Sequence, residues 1–524
     1  MGKKYISQVI GDDYKTWKKN KIYFIDAQTG AGKTYFIKDR LGKYAKAFNC
    51  KMLILTNRDS LKEQISNDIG KSMYIDLMNY QQLESLYKYK KINLDEYTYI
   101  ISDECQYFVN DIFNVNTDLS LETIMNTRAV KVFMTGTPYL IKYLFKQMNY
   151  EIEKEYITKR DYSYLSNIIN YSTDGQLRYI LDTIPKDEQA IIFTSANRGH
   201  DLAKEYDGSF ICSKYNTDFN TIKTITKIET DDNGKETKTI EKDIQSSWDT
   251  DELDLIIKEQ RFQKQFLFCT TCLDNGVNLK ENSNVKHIII DKIGVSLDTF
   301  MQCLGRRRVA DDETVNLYFY DYAKDGKSLN GVKKKYNNTL EVADCLDNEG
   351  QKSYIEKYFK QYTFDQRIIN VRNDENGNAV YTVNKSLYWG IKGRELTLSC
   401  MLDKEDKQGN EIEPITYRQL IAINLKINKD KIKYCEGSVE LLNLEGQLEM
   451  LIGQHLYKEE QKELAELFNI KRDGHLLKSI STLNAYLDEV KMPYIIKSKR
   501  QTYRDENDKI KKKPMSWVIY KLVS

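Results

Sequence analysis

Residues 27 to 34 read A-Q-T-G-A-G-K-T, and residues 97 to 106 read Y-T-Y-I-I-S-D-E-C-Q. The first stretch ends in an ammonium and a hydroxyl, Lys33 and Thr34; the second carries adjacent carboxylates, Asp103 and Glu104. Gly30 and Gly32 leave room for backbone N–H groups to approach phosphate oxygens, Lys33 has the reach of a β/γ-phosphate ligand, and Thr34 supplies a hydroxyl for Mg²⁺. Asp103 would hold the same Mg²⁺, and Glu104 would polarise a water against the terminal phosphate. Adjacent acids after an apolar strand are often only a solvated turn. The phosphate loop upstream makes the chemical reading the stronger one.

Such groups need elements to aim them. Ile22, Phe24 and the pair Ile25/Ala27 read as a strand, and apolar positions 36, 37, 41 and 45 read as a helix starting at Lys33. Strand, glycine loop, helix is the context a phosphate loop requires, with the helix N-terminus adding its positive dipole end. The predicted nucleotide-binding set is Ala27, Gln28, Thr29, Gly30, Ala31, Gly32, Lys33 and Thr34, with Ala27 standing where the general pattern has its first glycine. The apolar run before Asp103 is the second strand that must lie beside the loop.

The A-x-T-G-x-G-K-T loop and the D-E-x-x box together resemble the superfamily 2 DEAD/DEAH-box helicases and translocases. N-Y-Q-Q-L at 79–83 resembles the T-Y-Q segment of the branch that includes type III restriction motor subunits, in a phage or mobile-element form. The other family motifs follow in order. M-L-I-L-T-N-R-D-S-L-K-E-Q at 52–64 resembles motif Ia, which implies that Thr56, Asn57 and Arg58 meet a nucleic-acid backbone. V-F-M-T-G-T-P at 132–138 stands in place of motif III and implies a coupling role for Thr135 and Thr137. Q-A-I-I-F-T-S-A-N-R-G-H-D-L at 189–202 resembles motif IV. F-L-F-C-T-T-C-L-D-N-G-V-N-L at 266–279 resembles motif V, with Thr271 toward the strand and Gly276 and Asn278 toward the nucleotide. F-M-Q-C-L-G-R-R-R-V at 300–309 resembles motif VI: Gln302 and Arg306 align as catalytic groups, while the usual second arginine falls on Val309, leaving Arg307 or Arg308 to replace it. Gln106 occupies a position where the family often has histidine or aspartate. An amide donates and accepts hydrogen bonds but does not titrate, so coupling without a charge change is expected.

The resemblance spans roughly residues 15 to 325 and implies two RecA-like α/β lobes with parallel sheets, 1–150 and 151–325, with ATP and Mg²⁺ in the cleft between them. It implies an ATP hydrolase stimulated by nucleic acid. Residues 224–241, with Asn233-Gly234 between alternating segments, read as a hairpin inserted in the second lobe, either a solvated decoration or a strand-separating pin. Cys269-x-x-Cys272 has zinc or redox spacing, but no second pair follows and the four histidines are scattered, so no zinc site is expected.

Beyond the motifs, 326–435 reads as an accessory α+β region: a charged helix to 360, a hairpin over 367–383 turning at Asn376-Gly377, and a polar linker over 403–414. Residues 436–524 read as a winged helix: a helix at 458–470, a second from His475, then a hairpin. Between 491 and 513 there are nine Lys/Arg against three Asp/Glu, so Lys497, Lys499, Arg500, Arg504 and Lys511 to Lys513 are candidates for phosphate contact.

The whole chain hides that patch. Its 524 residues carry 79 basic and 77 acidic groups, a formal net charge of +2, so any polyanion site arises from local placement. The length suggests roughly three domains. With no signal peptide, no membrane-spanning run and nine scattered cysteines, the expected setting is reducing cytoplasm, of a bacterium or of an infected host cell. The expected function is an ATP-dependent helicase or translocase, on DNA in preference to RNA, in replication, recombination or defence. Two alternatives stand beside it. One is the motor subunit of a restriction-like complex whose nuclease, or a replication factor, is a protein partner. The other is an ATP-switched DNA-binding initiator. Glu104 and Arg306 argue for turnover rather than a mere switch.

Overall fold

The computed structural model describes residues 5–57, 73–111, 114, 116–214, 216–230, 236–273, 278–281, 283–374, 376–406, 408–472, 475–504 and 510–522. Contacts divide the chain into two units, Met1–Asn170 with Lys186–Lys433, and Tyr171–Pro185 with Tyr434–Ser524.

The first unit is built on two parallel sheets. In the N-terminal lobe β1 (Ile22–Asp26), β2 (Met52–Thr56), β3 (Ile75–Asn79), β4 (Tyr99–Ser102), β5 (Val130–Thr135) and β6 (Ile152–Ile157) lie in the order β3-β2-β4-β5-β1-β6. The strand register sets Asp26 beside Thr135 and Ser102 beside Phe133, so the ends of β1, β4 and β5 share one edge of the sheet. Every residue of β1, β2, β4 and β5 is buried, because helices cover both faces of a parallel sheet and leave no polar side. In such a sheet the loops leaving the carboxyl ends of the strands form the binding crevice.

The second lobe contains β7 (Leu165–Tyr171), β8 (Gln189–Phe193), β9 (Ser209–Ile211), the long hairpin of β10 (Asn220–Thr230) and β11 (Glu236–Ser246), then β12 (Phe266–Cys269), β13 (Val285–Ile290) and β14 (Val315–Tyr320). Its sheet runs β17-β7-β14-β13-β8-β12-β9, where β17 is Ile432–Tyr434, and β12, β8, β13 and β14 pair in parallel. Both lobes therefore have the layered parallel architecture expected of RecA-like domains, and the predicted insert is a hairpin.

The accessory segment packs on the N-terminal lobe. Two helical stretches within Gly326–Lys357, broken at Gly350 (φ 86°), lead to the predicted hairpin, β15 (Ile369–Asn373) with β16 (Ala379–Val383), and to helix Lys385–Leu402. Leu340, Leu346, Ile368, Leu387 and Ile391 form its core; a fully buried side chain of this size contributes about 1.5–3 kcal/mol. Helix Lys385–Leu402 approaches the lobe so closely that a Cβ on Gly390 would lie 2.7 Å from the Val109 carbonyl oxygen.

The second unit has helices Val439–Leu451, Lys458–Phe468 and Ile480–Glu489, a small clip of β18 (Lys471–Arg472) and β19 (His475–Leu476), and the hairpin of β20 (Tyr494–Arg504) and β21 (Ile510–Lys521). These helices and the hairpin enclose a core of Leu448, Leu464, Phe468, Leu483, Leu487 and Ile519. The predicted helix from His475 starts later: His475 and Leu476 pair with Lys471 and Arg472, and Ser479 accepts from the Thr482 N–H as the cap of Ile480–Glu489. The helix Asp174–Thr183 belongs to this unit. Gln176 donates from Nε2 to the Cys435 carbonyl (2.6 Å), and the Tyr179 ring lies where a Cβ on Gly437 would be.

Candidate nucleotide site and coupling chain

β1 delivers the chain into a loop whose Gly30 (φ 83°) and Gly32 (φ 82°) both take left-handed backbone conformations. The helix starts at Lys33. Lys33 is buried, donates from Nζ to the Ala27 carbonyl (3.1 Å), and sits 3.6 Å from Glu104 Oε1. Gly30 has a second reason to lack a side chain: a Cβ there would lie 2.8 Å from Nη1 of Arg308, from the other lobe.

β4 ends in the paired acids. Asp103 is buried, its Oδ1 accepts the Glu104 N–H (3.0 Å), and its backbone carbonyl accepts from the Tyr80 hydroxyl (2.9 Å). Glu104 has φ 48°, an uncommon conformation for a side-chain-bearing residue and one that clusters at functional sites. The two carboxyls diverge. Burial and the neighbouring Glu104 push Asp103 up to about 7. Burial also works against ionisation of Glu104, but Lys33, Arg306 and the Gln106 amide outweigh it and hold Glu104 below its usual range. The donors predicted for Mg²⁺, the Thr34 hydroxyl and the Asp103 carboxylate, are hard oxygens of the type that ion takes, so the residues fit the group.

From Glu104 a line of hydrogen bonds runs out of the site. Gln106, buried to 1 % exposure, donates from Nε2 to Glu104 Oε2 (2.9 Å) and accepts at Oε1 from the Thr135 hydroxyl (2.6 Å). Thr135 Oγ1 also accepts from the Thr137 N–H (2.9 Å) and lies 3.4 Å from Thr137 Oγ1. Gln302, on the second-lobe helix Leu297–Leu304, donates to that Thr137 hydroxyl at 3.5 Å, and its carbonyl accepts from Arg306 Nε (3.0 Å). Residues from separate stretches of sequence thus form one connected series across both lobes.

The arginine triplet divides into two faces. Leu279 pairs with this strand-like segment, its N–H donating to the Arg306 carbonyl (2.8 Å) and its carbonyl accepting from the Arg308 N–H (2.9 Å). In extended backbone, alternate side chains point to opposite sides. Arg307 turns into its own lobe, donating to the carbonyls of Val285 (2.9 Å) and Lys280 (2.9 Å) and pairing with Glu313 (2.7 Å). Arg308 faces the phosphate loop instead, where burial and the adjacent Arg306 bring it down to about 10.

A cavity of about 530 Å³ lies here, lined by Thr29, Gly30, Glu104, Gln302 and Arg308 and also by Tyr5, Tyr162 and Tyr164. That volume is in the range of small-ligand pockets. The tyrosines were not legible as site residues, because no local pattern marks an aromatic that reaches a pocket from a connecting segment. Arg160, from the same segment, pairs with Asp26 at the end of β1 (2.6 Å).

Among solved structures the chain is similar to S. cerevisiae Dbp5 bound to RNA and ADP BeF3 (11% identity, TM-score 0.40, covering 57% of this chain and 79% of that one). It is also similar to Mss116p bound to ssRNA and AMP-PNP (13%, TM-score 0.43, 66% and 72%) and to a DEAD box protein from the hyperthermophile Methanococcus jannaschii (14%, TM-score 0.33, 62% and 88%). No family model and no curated protein matches the chain.

The remaining predicted residues fall elsewhere. Thr56 is fully buried at the end of β2, with no hydrogen-bond partner for its hydroxyl among the described residues. Asn57 and Thr271 line a second cavity together with Gln106 and Gln302. Asn278 is described, but it does not line the nucleotide cavity. Arg58 and Gly276 lie outside the described residues, as does the side chain of Arg504. Lys497, Lys499 and Arg500 are exposed on β20 of the second unit, the two lysines each standing over the Tyr520 ring at 5.8 and 5.9 Å. Among the described residues no helix is long and apolar enough to cross a membrane.

Proposed function

We propose that the chain is an ATP-driven helicase or translocase acting on single nucleic-acid strands, DNA in preference to RNA, in the cytoplasm of a bacterium or of its infected host. The hydrogen-bonded series from Glu104 through Gln106, Thr135 and Thr137 to Gln302 carries this reading. A simple nucleotide-binding protein has no need to wire its water-activating acid to a second lobe.

In this mechanism Lys33 and Arg308 hold the terminal phosphates, and Arg306 and Arg308 neutralise charge that develops on transfer. Glu104, kept ionised by its cationic neighbours, takes the proton of the attacking water. Thr34 and Asp103 would hold Mg²⁺, which supplies charge neutralisation at the phosphates when bound. Loss of the terminal phosphate changes what Glu104 faces, and Gln106 passes that change to Gln302 and so to the second lobe. The basic hairpin of the C-terminal unit, with Lys497, Lys499 and Arg500, adds contacts to strand phosphates.

Strand displacement and ATP turnover, measured with single-stranded DNA, duplex DNA and RNA, test the reading. Displacement that is lost in Glu104→Gln supports it. Turnover without displacement or translocation would assign the chain to an ATP-switched binder instead.

A further inference from the structure

The second cavity, about 400 Å³, shares Gln302 with the first and is also lined by Gln106. Three parts of the first unit wall it. The N-terminal lobe contributes Asn57, Asn110 and Tyr139; the second lobe contributes Thr271 and Asp298; the accessory helices contribute Tyr336 and Arg394. Of these seven residues only Asn57 and Thr271 belong to the motifs of the sequence.

Its chemistry is specific. Leu140, Leu329, Val332 and the two tyrosines make much of the lining apolar, and Tyr139 is 57 % exposed, available to a ligand at the mouth. The polar groups converge at one end: Asn110 donates from Nδ2 to Asp298 Oδ2 (3.3 Å), and Arg394 donates to the Val109 carbonyl (2.6 Å) and to Asn110 Oδ1 (3.0 Å). Asn57 is 8 % exposed, and its Oδ1 has no hydrogen-bond partner among the described residues. A buried amide oxygen left unpaired is costly unless a ligand satisfies it.

A phosphate does not suit this cavity. Asp111 and Asp298 line it, and its one guanidinium is already bonded to protein oxygens. A planar group with an apolar face and a hydrogen-bonding edge does suit it. We infer that the cavity receives an unstacked nucleobase of the bound strand, held against Tyr139 and Tyr336 with its edge toward Asn57 and the Asn110–Asp298 pair. Unstacked bases are bound in this way, on aromatic faces with their edges hydrogen-bonded, and stacking tolerates any base. Because Gln106 and Gln302 also line the cavity, a base seated there touches the series that begins at Glu104. Strand occupancy then reaches the ATP site without passing through the phosphate contacts.

This inference rests on the nucleic-acid reading of the chain, and one titration separates the two. The full chain is titrated with a labelled dT strand and with a strand of equal length whose sugars are all abasic. The wild type is expected to prefer dT by about fivefold or more. Tyr139→Ala and Tyr336→Ala should each shrink that preference toward unity, while Tyr139→Phe keeps it. The salt dependence of dT binding, set by phosphate contacts, should be unchanged in Tyr139→Ala. A preference that survives in both alanine variants assigns the cavity to another occupant and overturns the inference alone. No binding of dT by the wild type overturns the nucleic-acid reading and this inference together.

Discussion

The side-chain amide of Gln106 spans Glu104 and Thr135, donating to the first across 2.9 Å and accepting from the second across 2.6 Å. Both ends of one amide are used, so its value lies in connecting the two neighbours rather than in either bond alone. Removing it separates Glu104, the acid proposed to activate water, from the threonines that reach the second lobe.

Gln106→Ala is therefore expected to keep basal ATP turnover within about threefold while losing about tenfold in stimulation by nucleic acid, a coupling of roughly 1.4 kcal/mol. Gln106→His, which can still donate and accept, should retain stimulation. Steady-state ATPase assays with and without a single strand check both. Equal stimulation in Gln106→Ala and the wild type would show that the amide is not the coupler.

Arg307 and Arg308 should fail in different ways. Arg308→Ala removes a cation facing the phosphate loop and is expected to lower kcat by about 10³-fold with little change in Tm. Arg307→Ala leaves the buried Glu313 with Lys286 (3.1 Å) but without its guanidinium, strips the Val285 and Lys280 carbonyls of their donor, and should destabilise the fold by about 1–3 kcal/mol. Thermal melts beside ATPase rates distinguish the two; a melt lowered by Arg308→Ala and spared by Arg307→Ala would reverse the assignment.

Glu84 gives a pH signature of folding. It is buried in the N-terminal lobe, accepting from the Tyr107 hydroxyl (2.8 Å), Asn114 Nδ2 (2.8 Å) and the Ser120 hydroxyl (2.9 Å). Burial nevertheless raises its carboxyl to about 7. The folded state then holds a proton that the unfolded chain releases near pH 4.5. Its contribution is full below pH 4.5 and declines as pH rises to about 7, a loss of up to roughly 3 kcal/mol. Glu84→Gln, which cannot ionise, should flatten the fall of stability across that window, as measured by denaturant unfolding at a series of pH values. An unchanged slope would rule Glu84 out as its source.

The C-terminal hairpin is tested by salt. If Lys499 and Arg500 each neutralise a strand phosphate, replacing both with alanine should reduce the slope of log K against log[salt] by about 1.4 for a single strand, from roughly 0.7 per contact. The loss should be similar for every base sequence. An unchanged slope would leave these exposed cations as a solvated face.

Much of the candidate nucleotide site was legible because its signals are local. Gly30 and Gly32 announce a left-handed turn, Lys33 opens a helix, and the apolar run before Asp103 can only be a buried strand. The long hairpin at β10 and β11 and the one at β15 and β16 followed from Asn-Gly turns between alternating segments, a pattern carried by a few adjacent residues. The start of helix Ile480–Glu489 was misplaced, because Leu476 and Leu477 match a helical period, whereas pairing with Lys471 and Arg472 draws His475 and Leu476 into a strand.

What the sequence determined by itself was the two parallel sheets, the candidate groups at their strand ends and the order in which they come. The tertiary structure alone decided which of these groups meet. Arg308 rather than Arg307 faces the loop because pairing with Leu279 makes residues 306–308 extended and sends alternate side chains to opposite sides. Gln106 joins Glu104 to Thr135 because β4 and β5 are neighbours in the sheet and end at the same edge. The helix at 174–183 joins residues 434–524 because Gln176 and Tyr179 find their partners at Cys435 and Gly437. Each of these depends on contacts between residues distant along the chain, and such contacts leave no periodicity or spacing in a single sequence.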